Sequence, residues 1–249
     1  MNPEHFPRSG QTRSVLRRDH ALISPDGHVP SPLPSWNGAS GIVLISPAIG
    51  AKLAQTLVNL EVGAVHFAPA AGIEAVFYVL EGELATEGQT LTPGSYGFLP
   101  ADQTFDFQVQ SAAKLCVFEK RFTPKTGLDA PKKLFGHAQN IESQPFLGDP
   151  DARLQVLLPE SPDFDLAMNI FTFQPGATLP FVETHIMEHG LLMLDGGGIY
   201  RLNHNWYPVA AGDCLWMAPF CPQWFAATGK TPARYLYYKD VNRDAMESL

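Results

Sequence analysis

Three side chains able to bind a metal fall at 183, 185 and 189, within Phe181-Val-Glu-Thr-His-Ile-Met-Glu-His-Gly190. One carboxylate and two imidazoles suit a first-row divalent cation, and an extended chain would send all three odd-numbered side chains to one face. The flanks favour such a chain. Pro175-Gly176 and Pro180 precede it, and Leu191-Leu-Met-Leu194 runs into Gly196-Gly-Gly198. A strand over 183–195 is expected, with Glu183, His185 and His189 turned into one cavity and Glu188 on the opposite face. The same residues also spell His185-x-x-Glu188-His189, the inverted zinc-protease motif, which works from a helix. Pro180 and the glycine triplet leave little room for a helix. The only glutamate beyond 189 is Glu247, so the further carboxylate ligand of such proteases has no evident source.

These residues need elements to hold them, and composition limits what those can be. The chain has 249 residues, 45% hydrophobic and 11% aromatic, enough for one large domain or two smaller ones with sizeable cores. Gly (21) and Pro (22) are plentiful while charged residues make up 17%, which points to many turns, few long charged faces and an all-β fold. A net charge of −8 leaves no surplus to neutralise phosphates, so neither nucleic acid nor an anionic membrane is an expected partner. No apolar run approaches ~18 residues, so no membrane span is expected. The three cysteines, 116, 214 and 221, have no paired spacing and fit thiols in a reducing compartment. Residues 1–10 carry no apolar signal-peptide core. A cytoplasmic protein is expected.

Short apolar segments recur every 8–12 residues between Gly/Pro turns, the pattern of a sandwich or barrel. They also repeat internally. Val65-His-Phe-Ala-Pro69 matches Phe171-Thr-Phe-Gln-Pro175, Tyr78-Val-Leu-Glu-Gly82 matches Leu192-Met-Leu-Asp-Gly196, and Pro93-Gly94…Pro100 matches Ala211-Gly212…Pro219. From Pro69 to Gly82 is 13 positions, and from Pro175 to Gly196 is 21. The additional residues of the second half lie in the stretch bearing Glu183 and His185. Counted back from the two glycines, His189 corresponds to Ala75, so the first half shows no ligand set, and its His66 stands alone.

At these residues the chain resembles the cupin superfamily. The frame of the first cupin motif holds in Gly176…Glu183-x-His185-x3-His189-x6-Gly196, with its first His replaced by Glu and its Glu by His. After the Gly212-Asp213 turn and Pro219, the polar residue in the second motif is Gln223. A Glu-x-His-x3-His…Gln set is similar to that of one bicupin family, the (S)-ureidoglycine aminohydrolases of purine (allantoin) breakdown. The resemblance extends over Leu22-Ile-Ser-Pro-Asp-Gly27, Gly72–Val79, Phe164–Ile170, Asn205-Trp206-x-Pro208-Val209 and Tyr237–Asp244.

The resemblance implies a bicupin of two tandem jelly-roll-like β-barrel modules. On this frame 1–40 is an arm packing on the barrels, 41–122 a module without metal ligands, 123–147 a linker, and 148–249 the module with the site. It implies Mn2+, or another divalent metal, on Glu183, His185, His189 and Gln223, with Tyr200, Tyr235 and Lys239 contacting the small-molecule substrate; on chemical grounds Lys239 is the expected catalytic residue, either pairing with the substrate carboxylate or handling a proton. Four protein ligands would leave about two octahedral positions open, as a catalytic site requires. The implied reaction is hydrolytic release of ammonia from (S)-ureidoglycine to give (S)-ureidoglycolate. Two other cupin activities compete: a metal dioxygenase, whose usual His-x-His…Glu…His set Glu183 and Gln223 break, and a non-catalytic binding bicupin. The apolar arm and open sheet edges point to a homo-oligomer.

Overall fold

The computed structural model describes residues 12–244; the 1–10 segment considered above for a signal peptide lies outside them. Alternating apolar residues become strands, and helix is confined to short 3-10 turns such as Pro25–Gly27. None is long and apolar enough to cross a membrane. The fold is all-β, of two jelly-roll-like modules whose sheets stay open rather than closing into rings. By contacts, one unit gathers the described part of Met1–His28 with Ser143–Gln155 and Asn169–Lys239, and the other gathers Val29–Glu142, Val156–Met168 and the residues from Asp240.

The unit bearing the candidate ligands has two sheets. The larger runs Val15–Leu16, His20–Ile23, Cys214–Met217, His189–Asp195, Ala233–Asp240, Leu166–Phe173, Asp149–Val156, Gln144–Phe146. The smaller runs Asn205–Ala210, Gly197–Leu202, Gln223–Ala227. Phe171, Leu191 and Leu215 of the first share one core with Tyr200, Leu202 and Phe225 of the second. Each such burial contributes about 1.5–3 kcal/mol before chain entropy is subtracted. The N-terminal arm is a working part of the larger sheet, because His20–Ile23 pairs antiparallel with Cys214–Met217.

In the other unit Ile73–Thr86 and Phe105–Arg121 form the centre of a ten-stranded sheet. Its core is aromatic: Trp36 lies 4.3 Å from Phe67, and Phe77 meets Phe107 edge-on at 5.7 Å. The 123–147 stretch, which reads as a linker, carries Leu134–His137 paired with Ser95–Leu99, and Phe135 packs on that core.

The internal repeat is visible in the ladders. Ala75 lies between Leu99 and Glu119, as His189 lies between Met217 and Lys239. Gly82, at a register break inside Ile73–Thr86, and Gly196, just past His189–Asp195, have φ 78° and 66°, and a Cβ would come within 2.2 Å of Ala112 O on the first and 2.4 Å of Pro232 O on the second. Only glycine meets both demands.

One buried charge cluster in this second unit makes a testable prediction. Glu74 is 1% exposed, beside Asp165, with the Lys120 ammonium 3.8 Å from Glu74 and hydrogen-bonded to Asp165. Burial, reinforced by the Asp165 carboxylate, pushes the Glu74 carboxyl from 4.5 up to about 9. Glu74 therefore keeps its proton at neutral pH and can donate it to Asp165. A raised carboxyl stabilises the fold fully below 4.5, and that contribution is lost as pH rises towards 9. Glu74→Gln, which carries a permanent donor, should leave Tm nearly unchanged at pH 4 and raise it relative to wild type at pH 9. Thermal melts at the two pH values check this; an equal difference at both would mean that folding does not raise the Glu74 carboxyl.

Candidate metal centre

The strand expected over 183–195 begins only at His189. Residues 180–188 form an irregular arch, fastened by contacts distant in sequence. Glu183 N–H donates to Gln223 O at 2.8 Å and Gln223 N–H returns to Glu183 O at 2.9 Å, while Phe220 N–H donates to His185 O at 2.7 Å. Alternation along one strand therefore does not bring Glu183, His185 and His189 together; the arch folds Glu183 and His185 back over His189. Nor is the inverted protease motif helical. Glu188 is buried and accepts a hydrogen bond from Trp216 Nε1 at 2.6 Å, turned to the structural side.

Glu183, His185, His189 and Gln223 line one cavity of about 100 Å3, and Tyr200, Tyr235 and Lys239 line it with them. This volume is well below the ~300–1,000 Å3 typical of drug-sized ligands, so the space suits an ion with a small polar molecule. Phe146, Phe171, Leu191, Met217 and Tyr237 supply the apolar wall. Tyr237 was open to inference, since 235, 237 and 239 share one face of a strand. Phe146, on the short strand Gln144–Phe146 within the apparent linker, had no such signal.

The histidines show why a cation fits. His189 Nδ1 lies 3.2 Å from Tyr238 O, and His185 Nδ1 lies 3.1 Å from Met187 O. A carbonyl can only accept, so each Nδ1 carries the proton and each Nε2 offers a lone pair. The two Nε2 atoms are 3.1 Å apart. Two lone pairs at that distance repel unless something positive lies against both. A proton on either ring is disfavoured: burial drives His189 well below 6.5, with His185 and Lys239 adding to the shift, and burial and Lys239 lower His185. A metal ion is the fitting occupant.

Gln223 Nε2 lies 3.0 Å from His185 Nε2, and its Oε1 accepts from Tyr200 OH at 3.4 Å. A half-turn of the amide would present the oxygen to the imidazoles instead. Glu183 is half-buried; burial raises its carboxyl, and Lys239 opposes the rise. Burial also raises Tyr200 and Tyr235, which are hydrogen-bonded to each other. At neutral pH both are phenols, able to donate hydrogen bonds and unable to act as bases. Lys239 is half-buried at the register position beside His189. Its counterpart in the other unit is Glu119, as Ala75 is that of His189, so the paired strands there carry neither the imidazole nor the ammonium.

A family model for the cupin domain matches residues 169–238. A curated rice protein (Oryza sativa subsp. japonica), "Probable (S)-ureidoglycine aminohydrolase", is 45% identical over 244 residues, covering 95% of this chain and 78% of its own. The Arabidopsis thaliana (S)-ureidoglycine aminohydrolase is 42% identical over 254 residues, covering 99% and 84%. Among solved structures, a putative glyoxylate induced protein of Pseudomonas aeruginosa superposes with a TM-score of 0.84 at 30% identity, covering 95% of this chain and 93% of that one.

Proposed function

Since the chain belongs to the (S)-ureidoglycine aminohydrolase family, we propose that Glu183, His185, His189 and Gln223 hold a divalent cation, Mn2+ by preference, for this reaction. The enzyme is a hydrolase. It breaks the bond between the α-carbon and the amine of (S)-ureidoglycine and forms a carbon–oxygen bond from water, giving ammonia and (S)-ureidoglycolate. The observation that carries the proposal is the pair of Nε2 lone pairs 3.1 Å apart, each fixed by a backbone carbonyl behind it.

A cation bound there supplies a Lewis-acid anchor for the substrate carboxylate and an α-heteroatom, and an all-N/O donor set suits Mn2+. The protein supplies the rest. Lys239 pairs with the carboxylate or carries the proton that the leaving amine needs. Tyr200 and Tyr235 donate to the ureido group, and their raised pKa values keep them as donors throughout. The apolar wall of Phe171, Leu191 and Met217 limits the water that reaches the carbon. Held in one orientation, the substrate is open to attack from one side, which supports a single enantiomer of product. Three buried free thiols support a cytoplasmic setting. Exposed Phe181, Phe220 and Trp206 support a homo-oligomer.

The test is ammonia release from freshly generated ureidoglycine, with the spontaneous rate subtracted. Metal-stripped protein should run at the background rate, and added Mn2+ should restore rapid release together with one enantiomer of ureidoglycolate. Full activity in the stripped protein would sink the metal-dependent reading. Failure of the fully loaded protein to exceed background would remove the substrate assignment.

A further inference from the structure

Behind Gln223 lies a second cluster of chemistry-bearing side chains, Asp19, His20 and Cys221, whose possible ligand atoms all fall within 4.8 Å of one another. As a metal site it is already saturated. Asp19 Oδ1 meets His20 Nδ1 at 2.8 Å, Asp19 Oδ2 accepts from Asn203 Nδ2 at 2.6 Å, and His20 Nε2 meets Tyr207 OH at 2.9 Å. Burial raises the Cys221 thiol to about 12, so it holds its proton. A cation would have to break bonds that already engage every side-chain polar atom of Asp19 and His20.

What these bonds hold is a turn. Ala218-Pro-Phe-Cys221 closes through Cys221 N–H to Ala218 O at 3.0 Å, with Phe220 at φ 63°. Proline suits the second position of such a turn, but the third is where glycine or asparagine normally sits, because a bulky side chain is strained at positive φ. A strained turn persists only where its surroundings over-determine it. Three attachments do so here. Ala218 N–H donates to Asp19 O at 2.9 Å, Asn203 N–H donates to Pro222 O at 2.7 Å, and Phe220 N–H donates to His185 O. The first begins at Asp19, and the second is made by the residue whose side chain Asp19 grips. The third joins the turn to a candidate ligand, and Gln223 follows the turn directly, exchanging backbone hydrogen bonds with Glu183.

We infer that Asp19, on the N-terminal arm, is a positioning residue for the metal centre: through the 218–222 turn it sets the backbone of Gln223, Glu183 and His185. This rests on the metal-centre reading above.

The experiment is Mn2+ titration followed by the electron paramagnetic resonance of the free ion, alongside thermal melts. Wild type should bind one equivalent; no binding at all would overturn the metal-centre reading itself. Asp19→Ala should weaken binding about tenfold or more, in the range of supporting residues around metal ligands. Asn203→Gly, which keeps the left-handed backbone but removes the same side-chain bond, should weaken it too, and the double variant should be no worse than Asp19→Ala. Asp19→Asn retains an acceptor for Asn203 and should recover most of the affinity. Arg13→Ala is the structural control. Arg13 fastens the arm elsewhere, donating to both oxygens of buried Asp213 at 2.8 and 2.7 Å. It should lower Tm with little change in affinity. Unchanged affinity in both Asp19→Ala and Asn203→Gly would overturn the inference, as would an equal loss in Arg13→Ala. A second equivalent of Mn2+ in wild type, lost in Asp19→Ala, would make the cluster a metal site and overturn it as well.

Discussion

His189→Ala should yield a folded protein that retains no Mn2+ through gel filtration and releases ammonia from ureidoglycine at the background rate. The fold should survive because the repeat already carries alanine at this register: Ala75 lies between Leu99 and Glu119 as His189 lies between Met217 and Lys239. The site should not. His189 Nε2 is one of two imidazole lone pairs among the described residues aimed at the shared point, and its orientation is fixed by Tyr238 O. Removing it leaves one imidazole, one carboxylate and an amide, a weak set for a labile ion such as Mn2+. Metal-derived charge stabilisation amounts to several kcal/mol, so kcat/KM should fall by about 10^3 or more. His185→Ala should behave alike. Metal analysis after gel filtration and the ammonia assay check both. A variant that keeps a full equivalent of metal and wild-type turnover would move the centre elsewhere.

Lys239→Met should separate metal binding from turnover. Lys239 lines the cavity but its ammonium has no lone pair to offer a cation, so metal content should stay near one equivalent. The ammonium lowers the pKa of Glu183, His185 and His189, which places its charge within reach of all three. If Lys239 moves a proton at the reacting centre, kcat should drop by about 10^2–10^4 with the metal still bound. If it only anchors the carboxylate uniformly, KM should rise and kcat should hold. A variant with both constants intact would take Lys239 out of the mechanism.

The candidate ligand types could be read from the sequence because a Glu-x-His-x3-His spacing and a Gln after Pro222 are local facts. Their arrangement was not. Alternation placed Glu183 and His185 on a strand, yet both belong to an arch whose conformation is imposed by Gln223 and Phe220, residues that no local propensity connects to them. The repeat was legible, since Gly82 and Gly196 each need positive φ and a bare Cα at the same place in the pairing. The pairing of Leu134–His137 was hidden by Pro131 and two lysines, which resemble a linker until Phe135 finds its core. The tautomers were beyond sequence altogether, because backbone carbonyls of Met187 and Tyr238 set them, and a carbonyl carries no residue identity.

The pairing of His20–Ile23 with Cys214–Met217 fixes an order of events during synthesis. The arm leaves the ribosome early, and its partner strand follows after almost the whole of the chain between. At about 5–20 residues per second, the wait is roughly 10–40 s. Lys239 emerges later still. Over that interval the second unit can acquire its core from Val29–Glu142, while the unit with the candidate ligands has an unpaired edge at one end and no completed cavity at the other. The arm is thus among the last segments to find its place, because His20–Ile23 cannot pair until Cys214–Met217 has been made.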